Sequence, residues 1–190
     1  PQGALRDSNY FAAVKGIDAR CGCNVQKIDR MQKCVHYMEK GELKQLSYDV
    51  LVLATGSTPV KLPLPNADAA GIHSFWFPWD VEAVDKEIAE GGVKDVVIIG
   101  AGFLGLELAE AFVRGLHTSV LEQQDRLLPQ LLDDDMAALL LRDTKNPLLD
   151  IYLEERAGAF TVENGKVSGV QTDKRVIPAQ LVIVAVGGRP

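Results

Sequence analysis

No apolar run in this 190-residue chain approaches the roughly 18 residues that a membrane-spanning helix needs. The longest, around Val96–Gly102 and Leu181–Val186, have the length of buried strands. No block of basic residues stands out, and the formal net charge is -6. That weighs against nucleic acid or an anionic membrane as the main partner. Cysteine is scarce: three residues, an odd number, do not make a disulfide framework. A reducing, cytoplasmic compartment is the expectation. No leader pattern opens the chain, which begins at Pro1.

What is present is an ordinary globular balance, 47% hydrophobic and 24% charged. A chain this long can bury a core without covalent staples. Two segments are expected, residues 1–75 and 76–190. In the first, Ser8–Lys15 reads as helix. Asp18–Ile28 and Lys33–Glu39 alternate as strands around a polar turn, with a second turn at Lys40-Gly41. Tyr48–Ala54 is a continuous apolar run and predicts a buried strand. The proline-bearing stretch after it reads as an interdomain linker.

In the second segment, Asp80–Glu90 predicts a helix with Asp80 as N-cap. Lys94–Ile99 and Ser119–Glu122 predict strands flanking a helix over Phe103–Leu116. A helix over Asp133–Arg142 opens with acidic residues that suit its dipole. Ala159–Asp173 is β-rich around Asn164-Gly165, and Leu181–Val186 is another buried strand. This order predicts an α/β fold: a Rossmann-like, doubly wound parallel sheet with a β-excursion.

The most informative stretch is Val96–Glu107, VVIIGAGFLGLE. It holds G-x-G-x-x-G between a buried strand and a helix. Gly100 permits a tight turn, Gly102 lets backbone approach a pyrophosphate, and Gly105 lets the helix pack on the sheet. The helix N-terminus then favours the anion. Glu122 ends the next strand, 17 residues after Gly105 and 22 after Gly100. That brackets the usual spacing of about 20 for a carboxylate that accepts from ribose hydroxyls and repels a 2′-phosphate. The expected ligand is NAD(H) rather than NADP(H), with nearby Arg126 as the residue that would favour a 2′-phosphate.

Three motifs together resemble the pyridine nucleotide-disulfide oxidoreductase superfamily. Within it, the similarity is to the branch of NADH oxidases, NADH peroxidases and coenzyme A-disulfide reductases. The motifs are Tyr48–Pro59 (YDVLVLATGSTP), the glycine loop with Leu121-Glu122 and Asp125–Pro129, and Leu181–Pro190 (LVIVAVGGRP). The resemblance implies the nucleotide-binding part of an FAD-dependent NADH oxidoreductase. Hydride would pass from NADH to FAD and on to a disulfide, peroxide, dioxygen or redox protein. It implies nucleotide contacts from Gly100, Ala101, Gly102, Phe103, Leu104, Gly105, Glu122, Arg126, Val186 and Gly187. It also implies flavin contacts from Ala54, Thr55 and Gly56, and nicotinamide positioning by Phe103 and Glu107. The family's first flavin loop, its later glycine-aspartate motif and its C-terminal dimerisation domain have no counterpart in these 190 residues. The expectation is therefore an internal piece of a homodimeric parent, with segment 1–75 a partial FAD-domain segment. FAD would be held by the full-length protein and not by this piece. The competing reading is a non-catalytic NAD-binding or interaction module.

Cys21-Gly22-Cys23 fits none of the family's redox-thiol spacings and is expected to be small residues on a strand. A zinc set of Cys21, Cys23, Cys34 and His36 is the sharper alternative; no metal is expected. His117 is expected to cap a helix end, and His73 to be solvated. Trp76, Phe77 and Trp79 are expected to pack at the domain junction.

Overall fold

The computed structural model describes residues 6–190. They form two compact units that divide between Ala54 and Thr55.

In the first unit, helix α1 (Ser8–Lys15) is capped by Asp7, whose side chain accepts from Tyr10 N–H at 2.8 Å. Strands β1 (Asn24–Asp29), β2 (Cys34–Glu39) and β3 (Glu42–Ser47) form an antiparallel meander. The Asp29 carboxylate organises the first turn by accepting from Met31 N–H and Gln32 N–H. Among the described residues of this unit, only Cys34 and Tyr37 are buried. Two expectations fail. Cys21-Gly22 is a turn ahead of β1, not part of a strand. Tyr48–Ala54 joins no sheet, and Val50, Val52 and Leu53 are 83%, 79% and 67% exposed. A fully buried parallel strand needs strands on both sides, and among the described residues none pairs with this one.

The second unit is built on a parallel five-stranded sheet. Its elements are β4 (Thr58–Pro59), β5 (Ile72–Ser74), α2 (Pro78–Ala89), β6 (Asp95–Ile99), α3 (Phe103–Phe112) and β7 (His117–Leu121). There follow α4 (Asp134–Asp143), β8 (Leu149–Tyr152), β9 (Ala157–Glu163), β10 (Lys166–Thr172), β11 (Val176–Pro178), β12 (Leu181–Val184) and β13 (Gly188–Arg189). The sheet order is β5-β12-β6-β7-β8, all parallel. The expected Rossmann-like sheet is therefore present. The residues read as a linker belong to this unit, because β5 is its edge strand and β4 pairs with β13. The boundary thus falls some 20 residues before the expected one at 75/76.

The period-two alternation of each strand builds two cores. Val96, Ile98, Val120, Leu181 and Ile183 face a helical layer that contributes Val84, Leu108 and Ala109. Val97, Ile99, Leu121 and Val182 face the antiparallel meander β11-β10-β9, which contributes Phe160, Val167, Val170 and Ile177. So the excursion is a structural layer, covering the sheet face opposite the helices. Asn164-Gly165 forms its two-residue hairpin loop, with positive φ at both residues.

Several local expectations are corrected. Asp80 sits at the third position of α2, and Phe77 is the N-cap. Its carboxylate reaches back to accept from Trp76 N–H and Phe77 N–H at 2.7 and 2.9 Å. Helix α3 stops at Phe112, and His117 starts β7 between Asp95 and Asp150, 3.5 and 3.2 Å away. His73 lies on β5, half-buried, 2.7 Å from Glu87. Phe77 and Trp79 stack at 4.6 Å, while Trp79 stays 62% exposed. No helix among the described residues is long and apolar enough to cross a membrane.

A Cβ placed on Gly105 would lie 1.9 Å from the Gly100 carbonyl oxygen. Gly105→Ala must push α3 off the sheet, and should lower the unfolding free energy by about 1–3 kcal/mol. Denaturant titration measures this; an unchanged midpoint would show that α3 does not depend on the close approach.

Candidate functional site

The winding reverses between β12 and β6: the chain runs from β6 outward through β7 and β8, then returns to the other side of β6 as β12. Open α/β sheets bind ligands at such a switch point, beyond the carboxyl ends of the strands. A cleft of about 950 Å³ opens there, within the second unit. Its floor is Ile99, Gly100 and Gly102 from the β6–α3 turn, with Val184–Gly187 after β12. Phe103 and Leu104 line it from the start of α3, and Glu122–Gln124 and Arg126 from the loop after β7.

The three glycines differ in what surrounds them. Gly100 has φ 111°, and a Cβ there would meet the Ala185 carbonyl at 2.6 Å. Gly102 is the N-cap of α3, with no side-chain cap, and a Cβ there would meet nothing within 4 Å. Its backbone faces open cleft. No acidic residue occupies the first turn of α3, so no carboxylate of the helix itself offsets the positive end of its dipole. This vacancy beside free helix N–H groups fits a pyrophosphate.

Ala101, between the first two glycines, is completely buried and held from both sides. Its N–H donates to Glu122 Oε2 at 2.9 Å, and its carbonyl accepts from Leu128 N–H at 3.0 Å. The other Glu122 oxygen accepts from Gln124 N–H at 2.8 Å. Glu122 is 8% exposed. Its carboxylate therefore fixes the glycine loop as well as facing the cleft, a role the spacing alone did not reveal.

Other expected residues are placed as follows. Arg126 lines the cleft but is ion-paired with Asp134 at the start of α4, and lies 3.8 Å from Asp125. Phe103 lines the cleft and is 64% exposed. Glu107 is exposed on α3, is not among the lining residues, and lies beyond the first turn. Val186 and Gly187 line the cleft; Ala54, Thr55 and Gly56 are exposed and do not. Among the described residues, no three His, Cys, Asp or Glu side chains converge as a metal set. Cys23 Sγ is 3.6 Å from Glu39, and Cys34 Sγ 3.7 Å from His36. Desolvation, then the Glu39 carboxylate, pushes the Cys23 thiol up, away from the reactive thiolate.

Sequence reasoning missed two walls. Leu62–Leu64, Phe75 and Trp76 come from the stretch read as linker. Glu155, 2% exposed, reaches the cleft after the unrecognised strand β8. Thr172 Oγ1 donates to it at 2.7 Å, and Arg175 Nε lies 3.1 Å away. A single acidic residue following a four-residue strand carries no periodic signal.

Sheet, switch-point cleft and glycine turn together define a Rossmann-type nucleotide-binding domain. The pyridine nucleotide-disulphide oxidoreductase family model matches residues 4–190, and the chain belongs to that family. It is 32% identical to an NADH oxidase of Methanocaldococcus jannaschii, over 95% of this chain and 40% of that one. The chain thus spans about 40% of the length of the curated relatives it matches. Among solved structures, it is similar to an NAD-dependent persulfide reductase from A. fulgidus. The TM-score is 0.85 at 32% identity, over 97% of this chain and 34% of that one. It is also similar to the water-forming NADH oxidase of Lactobacillus brevis, solved with NADH. There the TM-score is 0.76 at 28% identity, over 88% of this chain and 37% of that one. An engineered form of that oxidase, 27% identical to this chain, is solved with NADPH.

Glu122→Gln tests the double role of the carboxylate. The amide offers one acceptor oxygen where two N–H groups now converge, leaving one buried donor unmet. Stability should fall by about 1–3 kcal/mol in denaturant unfolding without any ligand. An unchanged value would show that the loop holds itself.

Proposed function

We propose that the cleft binds NAD(H), and that the full-length protein carrying this chain is an FAD-dependent NADH oxidoreductase. The observation that carries this is the open backbone of Gly102 at an uncapped, uncharged helix start, joined through Ala101 to Glu122. The pyrophosphate would be held by the N–H groups of Gly102, Phe103 and Leu104. A carboxylate has about four acceptor positions. Two on Glu122 are taken by Ala101 and Gln124, which leaves others for the ribose hydroxyls. Gly187 and Val186 would line the nicotinamide half. When bound, the nucleotide would supply a hydride to FAD, and the family resemblance suggests a disulfide, peroxide, dioxygen or redox protein as final acceptor. Residues 1–54 are assigned to the FAD-binding part, and the rest of the flavin and dimer machinery to the parent chain. Three free cysteines fit a reducing, cytoplasmic setting.

NADH is preferred over NADPH in this reading, because Glu122 lies where a 2′-phosphate would sit and like charges repel. Calorimetric titration should show NADH tighter by about tenfold or more. Equal or tighter NADPH binding would overturn the preference.

Phe103 is assigned to cover the nicotinamide pocket. Glu107 follows it by four residues, hence on the same face of α3, and is assigned to orient the carboxamide. Because Glu107 lies outside the first turn, the helix dipole does not account for it. In the full-length protein, Glu107→Gln should slow flavin reduction by NADH in stopped flow while the unfolding temperature barely moves. A wild-type reduction rate would remove Glu107 from the site.

A further inference from the structure

We propose that Asp134 sets how sharply the cleft discriminates against NADP(H), by holding the Arg126 guanidinium away from an incoming 2′-phosphate. The inference rests on the dinucleotide reading of the cleft and adds a residue to its specificity.

Arg126 lines the same cleft as Glu122, four residues further along the loop. A free guanidinium there would be a strong binding site for a phosphomonoester, whose oxygens accept from its paired N–H donors. It is not free. Its Nη1 is ion-paired with Asp134, and Asp125 lies 3.8 Å from the same nitrogen. Its Nε–H is buried with no partner. The guanidinium is therefore neutralised on one side and left with an unmet donor on the other. That arrangement follows from the pull of the carboxylate and not from full satisfaction of its five donors.

The backbone of Asp134 is placed by α4 and not by Arg126. It is the first residue of α4, where the helix dipole favours a carboxylate. The helix thus holds the backbone of Asp134, and the arginine, 33% exposed against 85%, is the more buried side chain of the pair. Asp134 is 85% exposed, and exposed ion pairs are weak. The latch yields graded discrimination, added to the repulsion from Glu122. The ligand class it acts on is a dinucleotide bearing a 2′-phosphomonoester.

The test is a double-mutant cycle. NAD⁺ and NADP⁺ are titrated calorimetrically into the wild type, Asp134→Ala, Arg126→Ala and the double variant, with Asp134→Asn as a shape-preserving repeat. Asp134→Ala should tighten NADP⁺ by about three- to tenfold and leave NAD⁺ within about twofold. The gain should vanish when Arg126 is also alanine, and shrink as salt is raised. NAD⁺ binding that persists while NADP⁺ is unmoved in Asp134→Ala would sink this inference alone. So would a gain that survives the loss of Arg126. Failure of the wild type to bind either nucleotide would instead overturn the cleft assignment, and this inference with it.

Discussion

The approach of α3 to the turn at Gly100 is the constraint from which the site follows. The carbonyl of Gly100 occupies the space where Gly105 would carry a side chain. That close approach lets the first turn of α3 lie over the end of β6. Its N–H groups then face the gap between β6 and β12, where the sheet's winding reverses. Ala185 N–H donates to the Ile99 carbonyl at 2.8 Å and closes the other side of the gap. In the proposed reading, anion affinity comes from the backbone, and the side chains around it would serve orientation and selection.

In the proposed reading Glu122 answers to two demands, loop structure and nucleotide choice. Removing its carboxylate would leave the buried Ala101 N–H without an acceptor, whatever ligand the cleft takes. A change of nucleotide preference at this position would therefore carry a structural cost. Selection can more easily act beyond the loop, at exposed residues such as Asp134 at the start of α4.

Much of the second unit was legible because its strands alternate between two buried layers and its glycine loop has fixed spacing. The hairpin at Asn164-Gly165 and the acidic start of α4 were equally readable, since turn chemistry and dipole preferences act locally. What failed was whatever depended on distant partners. Ile72–Ser74 becomes a strand only because β12 lies beside it. The His117 ring sits between two aspartates that adjacent strands bring together from 22 residues before it and 33 after. Tyr48–Ala54 has the composition of a core strand, yet composition cannot supply the neighbours that would make it one.

That segment also bears on how the chain behaves at high concentration. Val50, Val52 and Leu53 stand in water within a stretch that joins no sheet and carries a single charge, Asp49. It has no lysine or internal proline, the usual guards against strand addition by another chain. For these 190 residues taken alone, the net charge of -6 supplies the long-range repulsion that opposes such association. Solubility should be poorest near the isoelectric point of about 5.1, where that repulsion vanishes while the apolar segment remains exposed.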